Sequence, residues 1–165
     1  MSTIAINPLH RVVRFYEAPI GKKVIMALTG VILFGYVIAH LLGNLQIFAS
    51  PDQINGYAAI LHNPATSSFL WVARLALLAA VGMHIVASIQ LSKIKSDARP
   101  VAYVKKEDPA ASYASRTMMW SGPIVAAFVI FHVLHLTVGA VLPLQEIGPN
   151  KPNVYANVIA GFSNP

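Results

Sequence analysis

The chain has 165 residues, of which 56% are hydrophobic and only 11% charged, and its mean hydropathy is +0.60. A soluble domain carries about 25% charge, so this composition excludes an ordinary water-soluble fold and puts most of the chain in lipid. The absence of cysteine excludes thiolate zinc sites, iron–sulfur clusters and disulfides on this chain. Any cofactor must use histidine or be held without covalent bonds.

Residues 1–23 are polar and mixed, with neither the apolar stretch nor the small-residue cleavage site of a signal peptide. Three apolar segments follow, at about 24–48, 69–91 and 118–142. Each is long enough for a hydrocarbon core of ~30 Å, which takes about 20 helical residues. Arg74 is the only Lys, Arg, Asp or Glu within them. The expected fold is therefore an all-α integral membrane protein, a transmembrane helix bundle forming one anchor domain over 1–165. Between the first two spans, Ser50-Pro51 and Asn63-Pro64 read as turns, with a short interfacial helix over 54–61. Pro123, early in the third span, suits a first helical turn or makes a kink.

The net charge of +6 is a topology signal more than a nucleic-acid one. Arg11, Arg14, Lys22 and Lys23 precede the first span, and Lys93, Lys95, Arg99, Lys105, Lys106 and Arg116 lie in the connection at 92–117. Segment 49–68 has no Lys or Arg, and the tail has only Lys151. The positive-inside bias predicts a multi-pass protein of the cytoplasmic membrane, with the N-terminus and the 92–117 connection inside. The basic face could also dock an acidic or polar soluble partner.

His40, His84 and His132 stand inside the spans, with His135 one turn beyond the last. Ionisable groups in a membrane helix are costly and by default functional, and neutral imidazole is the usual axial ligand of a b-type haem. Position converts to depth at about 1.5 Å per residue. His40 then lies ~25 Å from the cytoplasmic edge, counted from Lys23, and His132 ~24 Å, counted from Arg116. His135 lies ~4 Å further out, and His84 only ~14 Å from the inner edge. An outer haem ligated by His40 and His132 is expected, with His135 as the alternative to His132, and an inner haem ligated by His84. Thr29-Gly30 stands nine residues short of a histidine's neighbour in the first span, as Ser121-Gly122 does in the third, so each pair is followed by nine residues and then His40 or His132. This repeat suggests equivalent roles for the two histidines. The bland alternative is that each imidazole bonds to a neighbouring helix.

Asn44 follows His40 toward the outer face, and Arg74 begins the second span on that side. Outer haem propionates would suit Arg74, and snorkelling to the interface suits it equally. Lys22, Lys23 and Arg116 border the inner level, where they face inner propionates or anchor helix ends. A quinone needs an apolar slot with one or two polar groups. Tyr16, Ser88 and Gln90 are available on the inner side, and Asn44, Tyr57 and His62 on the outer.

The run Ile20-Gly21-Lys22-Lys23-Val24-Ile25-Met26-Ala27-Leu28-Thr29-Gly30, followed by His40-Leu41-Leu42-Gly43-Asn44-Leu45, resembles the cytochrome b558 anchor of succinate dehydrogenase/fumarate reductase, the single-polypeptide dihaem type. The similarity continues through Ile54-Asn55-Gly56-Tyr57, Leu61-His62, Met83-His84-Ile85 and Phe131-His132-Val133-Leu134-His135, nearly the whole chain. It implies an anchor for two b haems and a quinone, menaquinone being expected. It also implies docking to an iron–sulfur subunit that carries the succinate-oxidising flavoprotein, so succinate chemistry resides on the partners. By motif, His40 and His132 correspond to the distal axial pair and His84 to one proximal ligand. The family pattern has five spans against three here. The tail from Val154 resembles the approach to a fourth helix, so the expectation is a truncated or incompletely recorded sequence, or completion by a second polypeptide. A haem-free structural anchor and a proton-relay or transport subunit are the competing functions. No acidic residue lies in any span to support a relay.

Overall fold

The structure is a computed structural model that describes residues 7–101, 104, 111–149 and 151–163. Lys105 and Lys106 of the basic connection, and Asn164 and Pro165 of the tail, lie outside these residues. Helix accounts for 82% of the described residues, so the protein is all-α. In chain order the helices are α1 (Pro8–Glu17), α2 (Pro19–Asn44), α3 (Pro51–Leu61), α4 (Pro64–Asp97), α5 (Tyr113–Val133) and α6 (Val154–Ser163). A small antiparallel pair, β1 (Glu146–Gly148) and β2 (Lys151–Pro152), precedes α6.

Three helical segments are long and apolar enough to cross a membrane: Pro19–Phe48, Pro64–Asp97 and Tyr113–Val138. Only 6% of the most apolar window of each is buried within the protein. Side chains such as Val31, Phe34 and Leu78 point outward, which water would penalise and hydrocarbon does not.

The segment boundaries depart from the apolar stretches for local reasons. α2 starts at Pro19, and a 3₁₀ turn, Leu45–Phe48, carries the first span to its end. Ser50 caps α3, its Oγ accepting from Gln53 N–H at 3.2 Å, and α3 begins three residues ahead of the expected short helix. α4 starts at Pro64, with Asn63 Oδ1 accepting from Ala65 N–H at 2.9 Å. Its helix runs on through the polar residues to Asp97, just ahead of Pro100. Ser112 caps α5 through Ser115 N–H at 3.2 Å. Because α5 begins at Tyr113, Pro123 lies well inside the helix and cannot occupy its first turn. The third span also ends early. Regular helix gives way to a π turn over Leu134–Val138, and Gly139, at φ 74°, terminates it. Its N–H bonds back to Leu134 O in the left-handed conformation that glycine adopts without strain. Residues 139–142, expected as span, are outside the helix.

The described chain forms two compact units. The first comprises Met1–Leu42 and Ser68–Ala102. Here α2 and α4 run antiparallel, with Thr29 beside His84 and Tyr16 beside Gln90. Ala80 and Ala87 are the buried apolar residues of this unit. They flank His84 at helical spacing, one turn before it and one after. The second unit comprises Gly43–Ser67 and Tyr103–Pro165. Its core is built on Ile54 and Ala58 of α3.

Candidate functional site

His84 is half-buried on α4, between Ala80 and Ala87 and facing α2. Its Nδ1 lies 3.1 Å from Thr29 Oγ1. Thr29 is 3% exposed, and its hydroxyl donates to Ile25 O at 2.7 Å and is shared with Met26 O at 3.1 Å. A hydroxyl has one hydrogen. With that hydrogen turned to the backbone carbonyls, an imidazole protonated at Nδ1 would donate to Thr29 Oγ1 and keep its lone pair on Nε2. This is the arrangement in which an outer partner fixes the tautomer of a metal-ligating histidine. Gly30 completes the seat: a Cβ there would lie 3.4 Å from His84 Cε1. Thr29-Gly30 thus serves the histidine of the neighbouring helix. The matching pair in α5 makes no equivalent contact, since Ser121 Oγ donates to Met118 O at 3.3 Å and a Cβ on Gly122 would meet nothing within 4 Å.

His40, eleven residues beyond Thr29 on α2, is therefore ~16 Å along the helix from the level of His84. Its ring stacks on Tyr36, with centroids 5.5 Å apart and planes inclined by 21°. In the second unit His132 stacks on Phe128 in the same way, at 5.6 Å and 27°. An aromatic residue four positions before the histidine, one turn away on the same face, is thus shared by His40 and His132, and His135 has one too in Phe131, so only the near-parallel stacking sets the first two apart.

His135 differs. It is 6% exposed and lies in the π turn, tilted against Phe131 and Phe162. Its Nε2 is buried with no hydrogen-bond partner among the described residues. A Cβ on Gly161 of α6 would lie 2.7 Å from both Cε1 and Nε2. The ring edge that would meet a metal therefore faces the α6 backbone. α6 is fixed in turn: Asn55 Nδ2 donates to Asn153 Oδ1 at 3.2 Å, and Asn55 Oδ1 accepts from Tyr155 N–H at 3.0 Å. Asn157 bonds to the Gln145 backbone through both ends of its amide.

Arg74 lies ten residues before His84 on the antiparallel α4, which carries it to the level of His40. Its exposed guanidinium lies over the Trp71 ring, 5.1 Å from the centroid. Asn44 ends α2, exposed, next to Gly43. Gly43 is buried, and a Cβ there would lie 2.9 Å from Tyr57 Oη. His62 bonds locally, Nδ1 to Ala58 O at 2.8 Å. Lys22 Nζ donates to Tyr16 O at 2.8 Å and Glu17 O at 2.9 Å, so it caps α1 and is not turned toward an inner anion.

Near the basic end of α4, two of the three polar residues expected there for a quinone meet: Tyr16 Oη donates to Gln90 Oε1 at 3.1 Å. Beside them is a half-open cavity of about 230 Å³, lined by Tyr16, Ile25, Gly82, Met83 and Val86. No group of three or more His, Cys, Asp or Glu side chains among the described residues could hold a bare metal ion, whereas a haem iron needs only one or two imidazoles from the protein. No protein-family model matches the chain, and no curated protein or solved structure matches it either.

Proposed function

We propose that this chain is a haem b-binding membrane anchor of the succinate dehydrogenase/fumarate reductase type, passing electrons between a soluble iron–sulfur subunit and membrane quinone. The observation that carries this reading is the seat of His84. Its Nδ1 lies 3.1 Å from the buried Thr29 hydroxyl, which would hold the ring with the Nε2 lone pair free for iron, and Gly30, Ala80 and Ala87 stand beside it. Those residues fit a haem ligand. Bound haem supplies one-electron carriage. The chain's part is to hold the iron through His84 at the inner level and through His40 and His132 at the outer, and to exclude water with apolar spans. Arg74, at the level of His40, is available to outer propionates, and Asn44 closes the helix on that side.

Menaquinone is the quinone the resemblance implies. The Tyr16–Gln90 pair beside an apolar cavity has the composition such a headgroup needs, one polar point in an apolar slot. The expected setting is the cytoplasmic membrane with the N-terminus inside, and an iron–sulfur subunit with its flavoprotein as partners.

The Thr29–His84 bond also suits a second reading, a haem-free anchor in which it only joins two helices. A reduced-minus-oxidised optical spectrum, with haem quantified per chain on the complex purified from membranes, separates the two. Haem b at one or two per chain is expected, and none would leave the structural anchor.

A further inference from the structure

α1 is the most sharply two-sided helix of the chain. At about 100° per residue, Leu9, Val12, Val13 and Phe15 gather on one side, with His10, Arg11, Arg14 and Glu17 on the other. No residue of α1 is buried, and Leu9 and Val12 are 70% and 64% exposed. Neither arginine makes an ion pair among the described residues.

The helix is nevertheless held in place. Ala18 alone separates it from α2. Lys22 Nζ grips the carbonyls of Tyr16 and Glu17, and the Tyr16 ring lies under the same ammonium at 4.8 Å. Tyr16 Oη reaches Gln90 near the polar end of α4. A Cβ on Gly21 would collide with the Phe15 carbonyl, so the chain folds back tightly at this corner. α1 is therefore fixed where α2 begins to cross, at the level of the basic end of α4. Ile20 and Val24, which follow it at the start of the first span, are exposed as well.

We infer that α1 lies in the membrane interface and that its ligand is the surface of an acidic phospholipid bilayer. Its apolar side enters the acyl boundary, and Arg11 and Arg14 meet the headgroup phosphates. Its attachment to the start of a membrane-length helix, through Ala18 and Lys22, favours lipid over a soluble protein, because the exposed apolar side and the two arginines then stand where acyl chains meet headgroups.

The chain has no cysteine, so single thiols can be introduced cleanly. The full chain carrying His10→Cys or Val12→Cys is spin-labelled and reconstituted in phosphatidylcholine vesicles, with or without phosphatidylglycerol. Accessibility to oxygen and to a water-soluble nickel chelate is then read at each label. The expected result is a Val12→Cys label in the oxygen-rich apolar phase and a His10→Cys label in water. Arg11→Gln and Arg14→Gln should each weaken the insertion about fivefold in the acidic vesicles and leave it unchanged in neutral ones. Equal chelate access at both labels would overturn the inference, as would insertion indifferent to phosphatidylglycerol. Shielding of Val12→Cys that arises only when soluble subunits are bound would assign the face to a protein and overturn it too.

Discussion

At the scale of single residues, hydroxyl stoichiometry decides what His84 can do. Thr29 Oγ1 lies 2.7 Å from Ile25 O and 3.1 Å from His84 Nδ1, so with its one hydrogen on the carbonyl it would accept from the imidazole. Thr29→Val removes that acceptor while keeping the shape. The half-buried Nδ1 then loses its partner, at a cost of about 1 kcal/mol, and affinity for an iron at Nε2 should fall roughly 10–100-fold. Haem titration of the purified variant reads this directly. Thr29→Ser should restore it, because the acceptor returns; a merely space-filling role predicts the opposite order, with valine tolerated. A second prediction separates His132 of α5 from His135 of the π turn that follows it. His132→Ala should lose one haem per chain, while His135→Ala should keep it, because the His135 ring edge is covered by Gly161. If pyridine haemochrome titration showed loss only in the His135 variant, the assignment of His132 would fall. The sequence marks these histidines clearly, since polar residues in apolar runs stand out. It could not show that Thr29-Gly30 faces the neighbouring helix, because spacing along one helix carries no information about what lies across from it.

Secondary-structure elements were legible in proportion to how much hydrophobicity defines them. The three spans were visible as apolar length, whereas their ends were set by Pro64, the Ser112 cap and the left-handed Gly139, each a matter of one or two residues. The π turn left no mark in composition, and α1 was hidden because its two-sidedness averages to a polar, mixed segment. α6 shows best how a local rule is overridden. Ala in place of Gly inside a helix ordinarily gains about 0.5–1 kcal/mol. At Gly161 the new Cβ would press on the buried His135 ring, and overpacking costs about 1–3 kcal/mol, so the clash wins. Gly161→Ala should therefore destabilise the second unit and reduce hydrogen-exchange protection of the α6 amides, with Asn55 left to hold the helix at Tyr155. In a His135→Ala background the same change should be neutral or stabilising. Additivity of the two changes would mean that the ring and the glycine do not touch.

Over the whole molecule, solvent is the organising fact. Three helices with so little of their apolar surface buried can persist only where the surroundings are apolar too. What the sequence adds is a direction, through Lys and Arg crowded up to the first turns of α2 and from the last turns of α4 onward, and absent from the α3 connection. That asymmetry predicts which end faces the cytoplasm. Gln53 in the first turn of α3 and Ser96 in the last turn of α4 are both exposed, and neither carries the charge that sets orientation. In intact cells a membrane-impermeant maleimide should label Gln53→Cys and spare Ser96→Cys until the cells are lysed. The reverse pattern would invert the protein and move the Tyr16–Gln90 cavity to the outer face. Soluble subunits inside the cell could not then deliver electrons to a quinone at that cavity, so the orientation tests the proposed electron path along with the topology.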